Sequence, residues 1–398
     1  MAWRKLVRIA LFFTLVASAA APGAALASTG ERVGGQRAPS ARWADVSTSS
    51  WARQAIDYVA EDRSWMRDFG SNGFRPDRLE SRRLFARALV KAFASGAVPK
   101  RNPAFTDLAS DDPFYRFAAV AVERGWMAAP SGAFSPKGPV TTRQVHRGLV
   151  LALGLRAEAS GLDRLHMADG TALRVPAGFG TLTLGMVLGL RYDHNDETLD
   201  VGPSTPLPRA EVAYSLWRAH QAATVSTWKL AALSPYVDIE LPNLRAKVRR
   251  VVEFGSRYVG YPYVWSGEWA SATTAPYCCG TQPVGGFDCS GIVWWTMKAA
   301  EDGYDNASIR GYDGWSLRQR SSAEMAKAGE SLHYAKARPG DLLFFDGNDD
   351  RTVDHVSVFI GRGWALDSSN SYGGVSIIRV GEGWYREHFT HARRILTS

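Results

Sequence analysis

The middle of the chain repeats a pattern of apolar and polar positions with the spacing of amphipathic helices. After WADV, which begins at Trp43, come the helical stretch WARQAIDYVAEDRSWM and then FRPDRLESRRLFARALVKAF. After FTDL come PFYRFAAVAVERGWM and then FSPKGPVTTRQVHRGLVLAL. In the last of these, Val145, Leu149, Ala152 and Leu153 fall on one helical face. The pattern predicts small two-helix units that bury their apolar stripes against one another.

A third copy of this pattern is weaker. It contains HMADG near residue 166 and VGPSTPLPRAEVAYSLWRA near residue 201. It lacks a clear first helix, because VPAGFGTLTLGMVLGL is rich in glycine. Arg82, Arg143 and Arg209, which are 61 and 66 residues apart, are expected to occupy comparable turns before the second helices.

The repeated segments resemble the S-layer homology module, which usually occurs in three copies with a TRAE-like sequence before the second helix. Residues 208–211, PRAE, match that sequence best. The resemblance covers residues 43–222 and implies binding to a wall polysaccharide, with Arg82, Arg143 and Arg209 contacting its acidic groups. The alternative is that these arginines cap helices or pair with carboxylates inside the protein.

The pattern changes after a connector at residues 223–243 that contains two prolines. LRAKVRRVVEFGSRYVG predicts an amphipathic helix. A double glycine then precedes DCSGIVWWTMKAAE, which predicts a turn followed by an apolar helix. Further on, HVSVFIG alternates like a strand, with Val356, Val358 and Ile360 on one face and His355, Ser357 and Phe359 on the other. His355 is thus well placed to meet a neighbouring helix end, and the alternative is a solvated strand end.

Cys289 falls in the first turn of the predicted apolar helix. Unpaired amides and the helix dipole favour negative charge at that position, and the thiolate is the reactive form of cysteine. The position therefore predicts a nucleophile, and the alternative is a buried structural cysteine.

A cysteine nucleophile needs a base and a group that orients the base. His355 opens the alternating strand, and GRG at 361–363 follows that strand. If these three residues form the hairpin loop, Ser357 faces Asp367, and Asp367 is the same-face diagonal neighbour of His355. A two-residue loop is expected to put the two on opposite faces. Asp354 points the other way and is the poorer candidate.

Four segments occur in an order that resembles the NlpC-type cysteine peptidases, a papain-like family that cuts peptides of bacterial peptidoglycan. They are YPYVWSG, GFDCSG, ARPGDLLFFDG and DHVSVFIGRGWALDSS. The resemblance covers residues 244–398 and implies Cys289 as nucleophile, His355 as base and Asp367 as the third polar residue. It also implies that Tyr263, Asp288 and Ser290 contact substrate, and that the bond cut joins D-Glu to diaminopimelate. No metal or organic cofactor is expected.

Two features depart from that family pattern. The third polar position is often histidine, whereas here it is Asp367, whose carboxylate can also accept the imidazole N–H. An insertion, EWASATTAPYCCG at residues 268–280, separates YVWSG from the nucleophile turn and carries Cys278 and Cys279. A zinc site built from the cysteines is the alternative use of these thiols, but adjacent cysteines lack the usual ligand spacing.

The first residues are those of a secretory signal: basic Arg4, Lys5 and Arg8, an apolar stretch, and ALA at 25–27. Cleavage after residue 27 lowers the formal net charge from +8 to +5 and leaves 371 residues, more than one core usually organises. A moderately basic exported protein suits a polyanionic wall. Three cysteines cannot form a disulfide framework.

The sequence thus predicts a multidomain protein: an all-α tandem repeat region followed by an α+β papain-like domain, with an antiparallel sheet and the nucleophile at a helix N-terminus. The expected segments are a signal peptide (1–27), a linker (28–42), three repeats (43–98, 104–158 and 160–222), a second linker (223–243) and the peptidase domain (244–398). The expected partners are peptidoglycan stem peptides and a wall polysaccharide, without nucleic acid and without a membrane span after signal cleavage. The expected protein is a secreted, wall-associated peptidoglycan endopeptidase; a cysteine acyltransferase or transpeptidase and a non-catalytic wall-binding protein are the alternatives.

Overall fold

Helices make up the first half of the described chain, and a sheet with packed helices makes up the second. This architecture is that of a computed structural model, which describes residues 43–70, 72–301 and 316–396. The predicted signal peptide at 1–27 and the linker at 28–42 lie outside the described residues. Within the described ranges, no helix has both the length and the apolar character needed to cross a membrane.

The helical region and the connector contain eight α-helices among the described residues. They are α1 (Arg53–Ile56, continued as a π-helical turn over Asp57–Asp62), α2 (Arg82–Phe93), α3 (Tyr115–Glu123), α4 (Thr142–Ala152), α5 (Arg156–Asp163), α6 (Phe179–Val187), α7 (Arg209–Thr224) and α8 (Thr227–Ala231). The region is not purely helical, since the two-residue strand β1 (His166–Met167) pairs in parallel with β2 (Glu240–Leu241) of the connector.

The turns before α2, α4 and α7 contact one another in a closed ring. In each, the first amide of the helix donates to a carbonyl of the next turn around the ring. The three bonds are Arg82 N to Gly138 O at 2.9 Å, Thr142 N to Thr205 O at 3.3 Å and Arg209 N to Arg78 O at 2.9 Å. Thr142, not Arg143, is therefore the residue that corresponds to Arg82 and Arg209. The expectation that all three arginines occupy the same turn position is wrong by one residue for Arg143, because the first position of α4 is a threonine and the arginine follows it.

The third copy was expected to lack a first helix because its segment is rich in glycine. This expectation was wrong, since that segment forms α6. The glycines there allow close packing instead of breaking the helix. A Cβ on Gly180 would lie 2.0 Å from the oxygen of Ala159 in α5, and a Cβ on Gly185 would lie 2.3 Å from Nδ1 of His146 in α4. Residues 179–186 are all buried. A helix buried on every side shows no amphipathic period, and this is why the pattern missed it.

Regular secondary structure lies at two places where the sequence predicted a boundary or a linker. Helix α5 runs through residues 158–160, where the second repeat was expected to end and the third to begin. The connector at 223–243 carries α8 and β2 and packs against the sheet. Its Tyr236 ring lies 4.8 Å from the ring of Trp364, and its hydroxyl donates to Ile377 O at 3.3 Å. All described residues belong to one compact unit, and the predicted repeats and peptidase domain do not form separate units within it.

The C-terminal region is built on a six-stranded antiparallel sheet. After α9 (Ala246–Gly255) come β3 (Glu268–Trp269), β4 (Gly286–Phe287), α10 (Cys289–Met297), α11 (Ser322–Met325), β5 (Glu330–Leu332), β6 (Leu342–Phe345), β7 (His355–Gly361), β8 (Trp364–Ser369), β9 (Gly374–Arg379), α12 (Gly383–Glu387) and β10 (Phe389–Arg394). The strand order is β5-β10-β6-β7-β8-β9, and β3 pairs separately with β4. Helix α10, buried along its length, packs against β7 and β8.

The hairpin of β7 and β8 has the predicted register but not the predicted loop. Val358 pairs with Leu366 and Phe359 with Ala365, so Ser357 lies opposite Asp367 as expected. Because Gly361 pairs with Trp364, the turn has only two residues, Arg362 and Gly363. Both have positive φ. A bulge between Phe359 and Gly361 restores the register, so the expectation that a two-residue loop separates the two faces was wrong.

Candidate active site

The nucleophile turn is held by its own aspartate. Asp288 is the N-cap of α10, and its carboxylate accepts the amide of Gly291. Cys289 is therefore the first residue of the helix, as predicted, and it is 7% exposed. The turn also needs Gly291 itself, because a Cβ there would lie 1.9 Å from the oxygen of Gly267. The sulfur thus lies beside the first amides of α10, where partial positive charge accumulates.

His355 and Asp367 meet as the hairpin register requires. His355 Nε2 lies 2.8 Å from Asp367 Oδ1, the side chain of His355 is 13% exposed, and Asp367 is fully buried. Cys289 Sγ is 3.9 Å from the main-chain oxygen of Asp354, which directly precedes His355. Since Nε2 is bound to Asp367, Nδ1 is the nitrogen available to the thiol.

Opposing effects set the charge of His355. Burial favours the neutral ring, but the charge and hydrogen bond of Asp367, together with a hydrogen bond to Cys289, raise the pKa of His355 well above 6.5. The site therefore favours an imidazolium next to the sulfur. Such a cation stabilises a thiolate.

Asp367 has two further donors that the sequence analysis did not assign. Ser357 Oγ donates to Oδ1 at 2.6 Å, and the Tyr385 hydroxyl donates to Oδ2 at 3.1 Å. Burial and the nearby carboxylate raise the pKa of Tyr385 well above its usual value, which keeps this hydroxyl protonated. Ser357 could have been found from its place beside His355 on the strand face, whereas no local pattern marked Tyr385.

Tyr263 lies close to the sulfur, as predicted. Burial, and then the negative charges of Cys289 and Asp288, raise the pKa of the Tyr263 phenol. Its amide donates to Gly373 O at 3.1 Å, a bond that holds this segment against the start of β9. A protonated phenol in this position can donate a hydrogen bond to a substrate oxygen.

Asp288 and Ser290 have partners within the protein. Arg320, which is 5% exposed, donates from Nη1 to Ser290 Oγ at 2.8 Å and to Asp288 Oδ1 at 3.2 Å. Ser290 Oγ in turn donates to Asp288 Oδ1 at 3.0 Å. These contacts give both predicted substrate-binding residues a role in holding the nucleophile turn. Arg320 was not identified from the sequence, because nothing around it in the chain relates it to residue 289.

Comparison with known proteins finds a family for this part of the chain. Residues 260–394 match the model of the NlpC/P60 family. This part of the chain is an NlpC/P60 domain. Probable endopeptidase YafL of Escherichia coli is 30% identical over 148 residues, which cover 35% of this chain and 46% of YafL. Murein DD-endopeptidase MepH of the same organism is 27% identical over 159 residues, which cover 38% of this chain and 49% of MepH.

A solved structure is also similar. It is that of the peptidoglycan hydrolase RipB from Mycobacterium tuberculosis, 27% identical, with 38% of this chain and 66% of RipB covered at a TM-score of 0.29. The chain spans about half the length of the two Escherichia coli relatives. The family-model match lies in the C-terminal region and does not include the helical region.

The insertion at 268–280 of the NlpC/P60 domain supports the nucleophile turn. Glu268, fully buried, accepts a hydrogen bond from Arg320 Nε and another from the amide of Cys278 at 3.0 Å. Cys278 and Cys279 form a disulfide with each other, and Cys289 is the free thiol among the described residues. A continuous path of hydrogen bonds thus runs from the insertion through Arg320 to Asp288.

The three arginines predicted to bind polysaccharide lie outside the NlpC/P60 domain and in different environments. Arg209, fully buried, donates from Nε to Phe74 O at 2.9 Å and pairs with Glu80 and Asp68. Arg82, 8% exposed, donates from Nε to Phe134 O at 2.6 Å. Arg143 is half-buried and donates to Ala177 O at 2.7 Å. The alternative of contacts within the protein therefore describes Arg82 and Arg209 better than ligand binding does.

Proposed function

We propose that this protein is a cysteine endopeptidase that cuts the peptide part of peptidoglycan. The observation that carries the proposal is the Cys289–His355–Asp367 arrangement, with Nε2 of His355 2.8 Å from Asp367 and the sulfur at the start of α10. The names of the relatives, which include a probable endopeptidase and a murein endopeptidase, support the substrate class.

In the proposed reaction the Cys289 thiolate attacks the peptide carbonyl while His355 carries the thiol proton. The first amides of α10 stabilise the oxyanion, with the Tyr263 hydroxyl as a further donor. His355 gives its proton to the leaving amine, and a thioester remains on Cys289. Water, deprotonated by His355, then hydrolyses the thioester and releases the acid product. Asp367 keeps the imidazole oriented through every step.

We place the bond cut between D-Glu and diaminopimelate, on the basis of the sequence resemblance. MepH is named as a DD-endopeptidase, so the cross-link between D-residues is the alternative bond. The two bonds give fragments of different mass from the same muropeptide, and mass spectrometry separates them.

The deciding experiment incubates the chain from residue 28, and its Cys289→Ala variant, with soluble cross-linked and uncross-linked muropeptides. We expect fragments from the wild type alone, with the masses expected for a cut after D-Glu. Products heavier by an added amine would identify an acyltransferase instead. Intact muropeptides from both proteins would contradict the proposal and leave a wall-binding protein.

We also propose that the chain is exported and that the helical region holds it at a wall polysaccharide. The signal-like residues 1–27 and the resemblance of residues 43–222 to S-layer homology modules support this. Arg143 is the best placed of the three arginines to contact an acidic ligand, because it is half-buried rather than enclosed. Arg82 and Arg209 contribute by holding the ring of turns.

Wall binding is tested with the full-length Cys289→Ala chain on purified walls. We expect it to sediment with walls and to be released when the polysaccharide is stripped. Arg143→Ala should weaken sedimentation, whereas Arg147→Ala, which removes an exposed arginine from the same helix, should not. Equal sedimentation with stripped walls would place the affinity in peptidoglycan instead.

A further inference from the structure

A cavity of about 410 Å³ lies between the connector and the NlpC/P60 domain. Helix α8 and the end of α7 supply Arg218, Trp228 and Lys229, and the segment from β9 to α12 supplies Arg379 and Trp384. The cavity is distinct from the nucleophile turn, and neither the catalytic steps nor the ring of turns uses it.

Two tryptophans at this cavity are well exposed, although the Trp384 ring stacks on His388 at 4.6 Å and Lys229 Nζ lies 5.7 Å from the centre of the Trp228 ring. Trp228 in α8 is 68% exposed and Trp384 in α12 is 44% exposed. Two exposed tryptophans at one cavity are typical of a ligand-binding surface. An indole face accepts the flat, C–H-lined face of a pyranose ring. One such face on each side of a cavity matches a saccharide better than it matches an extended peptide.

The cavity also has an excess of positive charge. Its described lining contains Arg218, Lys229 and Arg379 but a single carboxylate, Glu382, which pairs with Arg379 at 3.0 Å. Burial and the charge of Arg218 lower the pKa of Lys229, as expected of two cations held close together. Among the described residues, neither Arg218 nor Lys229 pairs with a carboxylate. An anionic ligand would relieve the repulsion between them.

The cavity reaches the catalytic histidine. The Trp384 ring centre is 6.5 Å from that of His355, and Tyr385, another lining residue, donates to Asp367 at 3.1 Å. An extended chain advances about 3.3–3.6 Å per residue. A sugar joined to a bound peptide one or two residues before the cut bond would therefore fall within reach of the cavity.

We propose that this cavity binds an acidic saccharide, the glycan strand of peptidoglycan, with a pyranose ring against Trp228 and Trp384 and a carboxylate against Arg218 and Lys229. The assignment of the occupant rests on the proposed function. The carboxylate has two possible sources: the lactyl group of a peptide-free muramyl sugar, or the stem peptide attached to it.

Calorimetric titration of the full-length Cys289→Ala chain tests this without requiring hydrolysis. The probes are a muramyl disaccharide with a free lactyl carboxylate, the disaccharide–tetrapeptide, the free tetrapeptide and neutral di-N-acetylglucosamine. We expect the disaccharide–tetrapeptide to bind more tightly than the free tetrapeptide, and Trp228→Ala to weaken it about tenfold. Tight binding of the muramyl disaccharide alone identifies the lactyl carboxylate as the anion, and its absence identifies the stem peptide.

Matched variants separate stacking from charge. Lys229→Ala should weaken the acidic probes about tenfold and leave the neutral disaccharide unchanged, whereas Trp228→Phe should keep most of the affinity. Lys336→Ala, an exposed cation elsewhere in the domain, should have no effect. Equal affinity for the tetrapeptide with and without its sugars, or Trp228→Ala binding like its parent with its melting curve unchanged, would overturn the proposal. Because only binding is read, failure of hydrolysis in the wild type would not be mistaken for failure of this site.

Discussion

Arg209 in the helical region and Arg320 in the NlpC/P60 domain are both buried, and each donates hydrogen bonds to several partners. The two arginines stabilise different parts of the protein. Arg209 joins the turn before α7 to Phe74 O, Met66 O and Glu80, all in the first part of the chain. Arg320 joins a loop to Asp288 and Ser290, on either side of the nucleophile. The first closes a scaffold, and the second fixes the position of a reactive atom.

The comparison shows how a charged residue next to a motif should be interpreted. Arg82 and Arg209 lie at polysaccharide-type motifs, and Asp288 and Ser290 lie beside the cysteine, so all four were predicted to contact ligands. In the structure they hold turns. Of the three arginines predicted to bind polysaccharide, Arg143 is half-buried, whereas Arg82 and Arg209 are enclosed. Buried charged groups of this kind need their partners, because an uncompensated charge in the interior is strongly destabilising.

The largest effect is expected at the residue that orients the base. Asp367→Ala removes the acceptor of His355 Nε2, and we expect kcat on muropeptides to fall by about 10²–10⁴-fold. Asp354→Ala is the matched control, since the carboxylate of Asp354 accepts the amide of Gly347 at 3.0 Å and does not bond to His355. Its activity should stay within about threefold of the wild type. The reverse ranking of the two variants would mean that Asp354 orients the base.

The site was predictable from sequence to the extent that it depends on local pattern. The start of α10 placed Cys289, and strand alternation with a hairpin placed His355 near Asp367. The loop length was wrong because a bulge compensated for it, and sequence spacing does not reveal bulges. Arg320 and Tyr385 were missed because they reach the site through tertiary contacts alone.

The fold was predictable where helices are amphipathic and was missed where burial is complete. The segments that form α2 and α4 have a clear apolar stripe, whereas α6 is apolar on all sides and contains glycines that permit close packing. The one-residue offset at Thr142 has a similar origin, since motif matching aligned arginines and the backbone aligns turns. The helix α6 and the position of Thr142 both depend on contacts with segments that are distant in the sequence. Local sequence patterns do not reveal such contacts.

A smaller effect, on stability, is expected from the scaffold arginine. Arg209→Ala leaves Glu80 buried without its cation, whereas Asp68 keeps its ion pair with Arg87, and we expect the free energy of unfolding to fall by about 3–5 kcal/mol near neutral pH. Burial already raises the pKa of Glu80 to about 7 despite Arg209, so protonation relieves part of the loss. The loss should therefore shrink at about pH 5, where the neutral form dominates.

Arg143→Ala is the control for Arg209 in chemical denaturation. Its guanidinium is half-buried and makes a hydrogen bond to a carbonyl, and we expect a loss of about 1 kcal/mol or less. Similar losses for the two variants would show that Arg143 is as much a part of the scaffold as Arg209. That result would remove the structural basis for assigning Arg143 to polysaccharide binding.

A smaller effect on catalysis than at Asp367 is expected at Tyr385, where a hydrogen bond can be removed without changing charge. Tyr385→Phe deletes one donor to Asp367, and we expect kcat to fall by about tenfold, as for a hydrogen bond to a charged group. The Asp367 carboxyl group is unchanged in this variant, so the pKa of His355 should stay raised, and the alkaline limb of the kcat/KM profile should stay above pH 6.5. Asp367→Asn removes the charge instead. Burial then lowers the pKa of His355 against Cys289 alone, without the charge of Asp367, so the alkaline limb should move to lower pH. A limb that moves equally in both variants would mean that the hydrogen-bond network, and not the carboxylate charge, sets the protonation of His355.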